Sequence, residues 1–261
     1  VAGSAAHYVA LDGGHVSPFT NWAMAATNIQ AAVDVAGAGA VVWVSNGVYE
    51  SGGVAGYPAL TNLLMNRVAI YKPLTVRSVN GPQVTAIKGA GPRGNSAARC
   101  VYMAEGASLI GFTLTNGATR LSGGYDQEQC GGGVWGEKGV CIVSNCIIAG
   151  NAGGVWGAVV YDSMVKRNTE TGAKYATLYN SLVVGNVGEW YGGGVNQSLL
   201  YSCTVAGNWA PSGGGGAYQG MLYNCIVYYN SAGSQGPDVY NTILIDHSCS
   251  TEPGGTGNIT N

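Results

Sequence analysis

Charge is what this sequence has least of. Of 261 residues only 11 are Lys or Arg and 13 are Asp or Glu, so charged residues make up 9%, against about a quarter in an ordinary globular chain. There is no basic run, and the formal net charge is −2. Nucleic-acid binding rests on clustered Lys and Arg that neutralise phosphates, so no nucleic-acid partner is expected. No stretch of about 18 consecutive apolar residues occurs, which excludes an ordinary transmembrane helix. The seven cysteines (Cys100, Cys130, Cys141, Cys146, Cys203, Cys225 and Cys249) form no CxxC pair, which argues against a zinc knuckle or a thioredoxin-type site. Their odd number leaves at least one thiol unpaired within the chain. A GxSxG elbow is absent, and glycine runs such as 213–216 lack the GK[ST] and helix of a phosphate loop. His7, His15 and His247 lie in no supporting motif.

What is present is glycine (44 residues), 16 tyrosines and a hydrophobic fraction of 46%. The core can be substantial, and the surface must be built from Gly, Ser, Thr, Asn and Tyr. A surface so poor in charge, with moderate cysteine usage, points to an exported protein, extracellular or at the cell surface. The chain opens at Val1 with no leader pattern before it, as expected of a processed or trimmed protein.

A nine-residue pattern recurs: LYNSLVVGN from Leu178, LYSCTVAGN from Leu200 and LYNCIVYYN from Leu222. Its last position is Asn151, Asn168, Asn186, Asn208 and Asn230, spaced by 17, 18, 22 and 22 residues. Asn116 reads as an earlier member. A pattern that returns at a varying interval suits a solenoid whose coils close on themselves while their corner loops differ in length. Column four holds Cys146, Ser163, Ser181, Cys203 and Cys225; column six holds Ile148, Val165, Val183, Val205 and Val227. These columns are two residues apart, so in a strand both face inward. A second strand precedes each nonamer, after glycine-rich segments such as GGGVW (131–135) and GGGVN (192–196). The Asn column is expected to form a hydrogen-bonded ladder at a corner, with rungs about 4.8 Å apart. Cys203 and Cys225 should stack on adjacent rungs without bonding, because a disulfide needs a closer approach of Cβ atoms.

The outward columns carry Tyr161, Tyr179, Tyr201 and Tyr223, then Leu182, Ile226 and Tyr228. A second outward strip is Trp135, Trp156, Lys174, Asn196, Tyr218 and Tyr240. Three explanations stand for such apolar strips: loops such as 187–194 cover them, they meet a partner, or they stack on sugar rings. Upstream, TNIQAAVDVAG (27–37) has the capping-box pair Thr27 and Gln30, one apolar face at Ile29, Val33 and Ala36, and a terminating Gly37. It predicts a short helix over the open end of the solenoid. Residues 1–39 are thus the N-terminal segment and cap, 40–108 the first coils, 109–250 the regular coils with a long loop at about 117–133, and 251–261 a tail. Together they make one domain of eight or nine coils.

At this point the sequence resembles a known family. NIQAAVDVAGAGAVVWVSNGVY followed by LTVRSVNGP, with the recurring NCIVYYN and GGGV segments, is similar to right-handed parallel β-helix repeat proteins of the pectate-lyase-like superfamily, including exported bacterial surface proteins. The resemblance implies an all-β, single-stranded right-handed parallel β-helix with a short N-terminal capping α-helix. It does not select among lyases, glycosidases and adhesins. SCSTEPGGTGNITN (248–261) looks like the lead into a further segment, so a solenoid without a full C-terminal cap is expected.

The leading expectation is an exported structural or adhesive module that self-associates through its apolar and aromatic ladders, as a homo-oligomer or fibre. The alternatives are a polysaccharide lyase or glycosidase, and a non-catalytic carbohydrate-binding module. For catalysis the candidates are Asp162, Lys166, Arg167 and Glu170, which share one coil, with Arg120, Asp126, Glu128, Glu137 and Lys138 in the preceding excursion. No cofactor is expected. Asp126 and Glu128 suit calcium, but two carboxylates are fewer than its usual six to eight oxygen ligands.

Overall fold

The computed structural model describes residues 5–137, 140–242 and 244–251. The chain winds as a right-handed parallel β-helix with three long sheets and, at one corner, a two-stranded pair of Trp209–Ala210 with Ser231–Ala232. One coil shows the plan. Val155–Trp156 lies in sheet C, Val159–Tyr161 in sheet A and Met164–Lys166 in sheet B. Sheet A stacks ten strands, sheet B nine and sheet C eight, and every rung of the regular coils is parallel and in register: Val160 pairs with Leu178, and Val165 with Val183. The expected alternation holds. Columns one, four and six are buried, and columns two, five and seven are partly or fully exposed.

Strands of two or three residues require sharp corners, and the backbone makes them in the left-handed region. Asn145, Asp162, Asn180, Ser202, Asn224 and His247 hold the corner from sheet A to sheet B, with φ of 47–54°. Short polar side chains tolerate this conformation best. Asp162 therefore owes its place in the Asn145–Asn180 column to backbone geometry. Arg167 holds the equivalent post at the next corner, with φ 53°.

The Asn ladder is buried. The Asn151 backbone N–H and Nδ2 both donate to Asn168 Oδ1 at 3.0 Å, Asn168 donates likewise to Asn186, Asn186 to Asn208 and Asn208 to Asn230. Each Nδ2 also reaches a column-six carbonyl, as Asn186 does with Val165 O at 3.0 Å. Asp238 closes the series: its Oδ1 accepts from Asn230 N and Nδ2 at 2.9 Å each. At the other end Asn151 Oδ1 accepts from Gly117 N at 2.8 Å. Asn116 is not a rung. Thr115 pairs with Ala149, so Gly117 falls opposite Asn151 and Asn116 falls on the left-handed corner, with φ 55°. Glycine beside the ladder is obligatory: a Cβ on Gly172 would lie 2.5 Å from Gly194 O and 2.8 Å from Asn186 Nδ2.

Column four forms a second ladder, which explains its mixture of Ser and Cys. Ser163 Oγ accepts from Cys146 N at 3.0 Å and donates to Tyr161 O. Cys225 Sγ accepts from Cys203 N at 3.5 Å, and Ser248 Oγ from Cys225 N at 3.0 Å. Either small side chain can accept from the coil before it and donate to its own strand. All seven cysteines are free thiols, and burial pushes Cys100 up to about 12 and Cys146 to about 11.

The helix α1, Ile29–Val35, differs from its sequence signature in both caps. Asn28 is the N-cap, accepting from Ala31 N at 2.9 Å. Thr27 instead turns to His15, whose Nδ1 accepts from Thr27 N at 3.0 Å. The C-cap is Ala36, in extended conformation, and not an αL glycine. Gln30 is withheld from a capping box by a tertiary demand. Its Oε1 accepts from Ala69 N at 2.7 Å and its Nε2 donates to Ala69 O at 3.4 Å. Ala69 lies in Met65–Ile70, the terminal strand of sheet C, so one side chain satisfies the exposed edge that the helix covers. The stretch 252–261, which bears on the expected lack of a full C-terminal cap, lies outside the described residues.

Asn186→Ala is expected to lower unfolding free energy by about 3–5 kcal/mol, because it removes the buried acceptor of Asn168 N and of one Asn168 Nδ2 hydrogen, and the donor to Val165 O. Lys166→Ala, on the outer face, should stay within about 0.5 kcal/mol. Urea denaturation of both variants measures the difference.

Candidate functional site

The four catalytic candidates do not converge. Asp162 sits at the corner between sheets A and B, and Lys166 points outward from sheet B. Arg167 occupies the far corner of sheet B, exposed, and only Glu170 reaches a cleft of any depth. The reason is the coil itself: a whole strand separates Asp162 from the turn that holds Glu170. In the excursion Glu128 is buried and engaged by its own loop and by the segment at Leu63. Its Oε1 accepts from Leu63 N at 2.8 Å, Oε2 accepts from Gly124 N at 3.2 Å, and Arg120 Nε lies 3.4 Å from Oε1. Glu137 accepts from Glu105 N and Tyr102 Oη. Lys138 lies outside the described residues. No group of three or more His, Cys, Asp or Glu side chains suited to a metal occurs among the described residues.

The cleft, about 430 Å³, lies over sheet C. One wall is the excursion between Thr113–Thr115 and Val134–Gly136, which contains a short helix α2, Tyr125–Glu128. The other wall is the corner at 187–192. Arg99 anchors the first wall. It is fully buried without a carboxylate partner, and donates to Gly131 O (2.9 Å), Gln127 O (2.6 Å), Cys130 O (2.9 Å) and Asn66 Oδ1 (3.0 Å). Burial pulls its guanidinium down to about 9. Carbonyl dipoles at the end of α2 take the place of a counter-ion.

The expected outward strip of sheet C is thus largely roofed. Trp135 and Trp156 project from the coil, as the alternation requires, but each is only 5% exposed. Their rings stack at 4.7 Å, and Trp135 Nε1 donates to Asp126 O at 2.6 Å. Neither is an open surface, because the excursion lies over them. Tyr218 and Tyr240 stay partly exposed and are stacked with Tyr191. On sheet A the ladder Tyr161–Tyr179–Tyr201–Tyr223 has centroids 4.8–4.9 Å apart and interplanar angles of 4–9°. Rings so close and so nearly parallel are offset-stacked, so their faces are turned on one another and their edges and hydroxyls outward. Leu182 and Tyr228 are partly exposed and Ile226 is 53% exposed.

Inside the cleft Trp156 is flanked by Tyr125, Trp190 and Tyr191, with Trp190 65% exposed at the rim. Arg93 Nη1 forms an ion pair with Glu170, and Arg93 Nη2 donates to Arg120 O at 3.1 Å. Lys174 Nζ lies 5.0 Å from the Tyr125 ring centre and 5.2 Å from that of Tyr175. Glu189 is exposed at the rim. Burial, reinforced by Glu189 and opposed by Arg93, pushes the Glu170 carboxyl up to about 7. Glu170 (φ 70°) and Thr171 (φ 151°) are adjacent non-glycine residues in the positive-φ region, a strained turn within the cleft. Sequence reasoning missed Arg93, Tyr125, Glu189, Trp190 and Tyr191 as one site. The available signal was the lengthening of the repeat from 18 to 22 residues after Asn186, which places the extra residues at this corner.

No family model and no curated protein matches the chain. Among solved structures it is similar to a pectate lyase, at 12% identity and a TM-score of 0.53, with 97% of this chain and 79% of that one covered. It is also similar to a rhamnogalacturonan lyase, at 14% identity and a TM-score of 0.52, with coverage of 94% and 67%. The fold is that of the pectate-lyase-like parallel β-helices. At such identities the likeness is one of winding alone. No helix of the described residues is long and apolar enough to cross a membrane.

Glu170 gives the cleft a pH signature. Its carboxyl loses its proton at about 7 in the fold and near 4.5 unfolded, so the stability it lends is full below about 4.5 and is lost as pH rises through 7. Thermal unfolding across this range should show wild type losing stability relative to Glu170→Gln.

Proposed function

We propose that the protein is an exported carbohydrate-binding β-helix whose ligand lies in the cleft over sheet C. The observation that carries this reading is the cleft itself: a concavity of about 430 Å³ walled by Tyr125, Trp156, Trp190 and Tyr191, with charged and amide groups among them. Size and lining suit a small-molecule or oligosaccharide site. Aromatic rings offer flat apolar faces to the C–H faces of sugars, and the fold-level neighbours are named as polysaccharide lyases. Binding without cleavage is the economical form of the reading. The acid and base candidates of one coil are dispersed, and Glu170 is held by Arg93. Trp190→Ala or Tyr125→Ala should weaken oligosaccharide binding by about threefold to tenfold each, the range of one aromatic contact. Quenching of tryptophan fluorescence, or retardation in glycan-containing gels, measures this. Unchanged affinity in both variants would sink the assignment of the site.

A second reading, self-association into oligomers or fibres at the cell surface, is favoured by sheet A. Its in-register Tyr161–Tyr179–Tyr201–Tyr223 ladder runs beside the half-exposed row Val159, Thr177, Leu199 and Met221, with almost no charge. A repeating apolar face of this kind suits a second copy of the same face. Light scattering at rising concentration should show mass growth that Tyr179→Lys with Tyr201→Lys abolishes. A strictly monomeric particle at high concentration removes this reading.

A further inference from the structure

We infer that the cleft over sheet C selects uncharged oligosaccharides over polyuronates, a specificity that rests on the carbohydrate-binding reading above. Its charged lining residues are two cations, Arg93 and Lys174, and two anions, Glu170 and Glu189. With all four ionised the site is neutral. The stronger of the two cations for a carboxylate, the Arg93 guanidinium, is not free. Arg93 is spent on the protein: Nη1 on Glu170, and Nη2 on the carbonyls of Arg120 at 3.1 Å and Gln129 at 3.5 Å. Lys174 lies over the rings of Tyr125 and Tyr175. A uronate entering this cleft would lose hydration, would find Lys174 as its one cation not paired with a carboxylate, and would meet both Glu170 and Glu189 at like charge. A neutral pyranose pays neither cost, because its apolar face meets Trp190, Tyr191 and Tyr125 and its hydroxyls hydrogen-bond equally well to either sign of charge. Nor does the overall charge of the chain, −2, draw an anionic polymer towards it.

The test uses hexasaccharides at about pH 8, where the Glu170 carboxyl is ionised. Cellohexaose and mannohexaose are the neutral probes, and hexagalacturonate is the acidic one. Affinities are read by tryptophan fluorescence at low and at high salt. At least one neutral probe should bind with little salt dependence, and hexagalacturonate should bind roughly tenfold more weakly or not at all. Glu170→Gln frees Arg93 and leaves the cleft with one net positive charge. The ratio of acidic to neutral affinity should then rise by about tenfold at low salt and fall back at high salt. Glu189→Gln, at the exposed rim, should move the ratio the same way without touching the Arg93 pair, and serves if the first variant does not fold. A wild-type protein that prefers hexagalacturonate overturns the selectivity and leaves carbohydrate binding standing. If no probe binds, carbohydrate binding and its selectivity fall together.

Discussion

The structure depends on one repeated contact, the buried amide of each corner Asn held by the coil on either side. A solenoid with corners this tight leaves backbone N–H groups facing inward, where water cannot satisfy them. The Asn carboxamide answers with both halves of its dipole. Oδ1 takes the N–H and Nδ2 of the previous rung, and Nδ2 takes the next Oδ1 and a strand carbonyl. The array is directional, so each end needs a group of the right kind. Gly117 N supplies a donor at one end and Asp238 an acceptor at the other. Close packing of the ladder excludes a Cβ from Gly154, Gly172, Gly194 and Gly216, so the glycine column and the Asn column are one constraint written twice.

On that rigid frame the variable corners build everything else. The corners that follow sheet B admit insertions without disturbing the rungs, and two of them rise on the same side. The excursion is fastened by Arg99 to its own carbonyls, and the corner at 187–192 stands opposite. Between them lies the aromatic cleft. A buried guanidinium satisfied only by carbonyls is costly in isolation. Here it converts a long surface loop into a fixed wall, with Tyr125 placed over Lys174.

The two aromatic faces behave differently for a geometric reason. On sheet A, tyrosines repeat on successive rungs, and the rung spacing forces their faces together. Sheet A is therefore a striped surface of edges and hydroxyls, suited to another sheet. On sheet C the aromatic row is interrupted by Lys174 and Asn196, and loops close over part of it. That break leaves room for a ligand.

Periodicity made most of the fold legible. The spacing of Asn151, Asn168, Asn186, Asn208 and Asn230, with small and β-branched residues two apart, determined the winding, the inward columns and the ladder. The physical reason is that each rung repeats the same local contacts, so the sequence must repeat too. The helix near Ile29 was legible as an element, but its caps were not, because Gln30 is claimed by Ala69, a partner 39 residues away. Of the site, Glu170 was legible as an acid candidate, and Trp156, Lys174 and Asn196 as part of the outward strip of sheet C. Asp162, Lys166 and Arg167 are neighbours in sequence and lie on different faces, since each three-residue strand carries the chain to another side of the coil. Arg93, Tyr125 and Trp190 come from three distant segments that obey no shared period. Tertiary structure alone decided that they meet, and that Trp135 and Trp156, outward by every local rule, are covered.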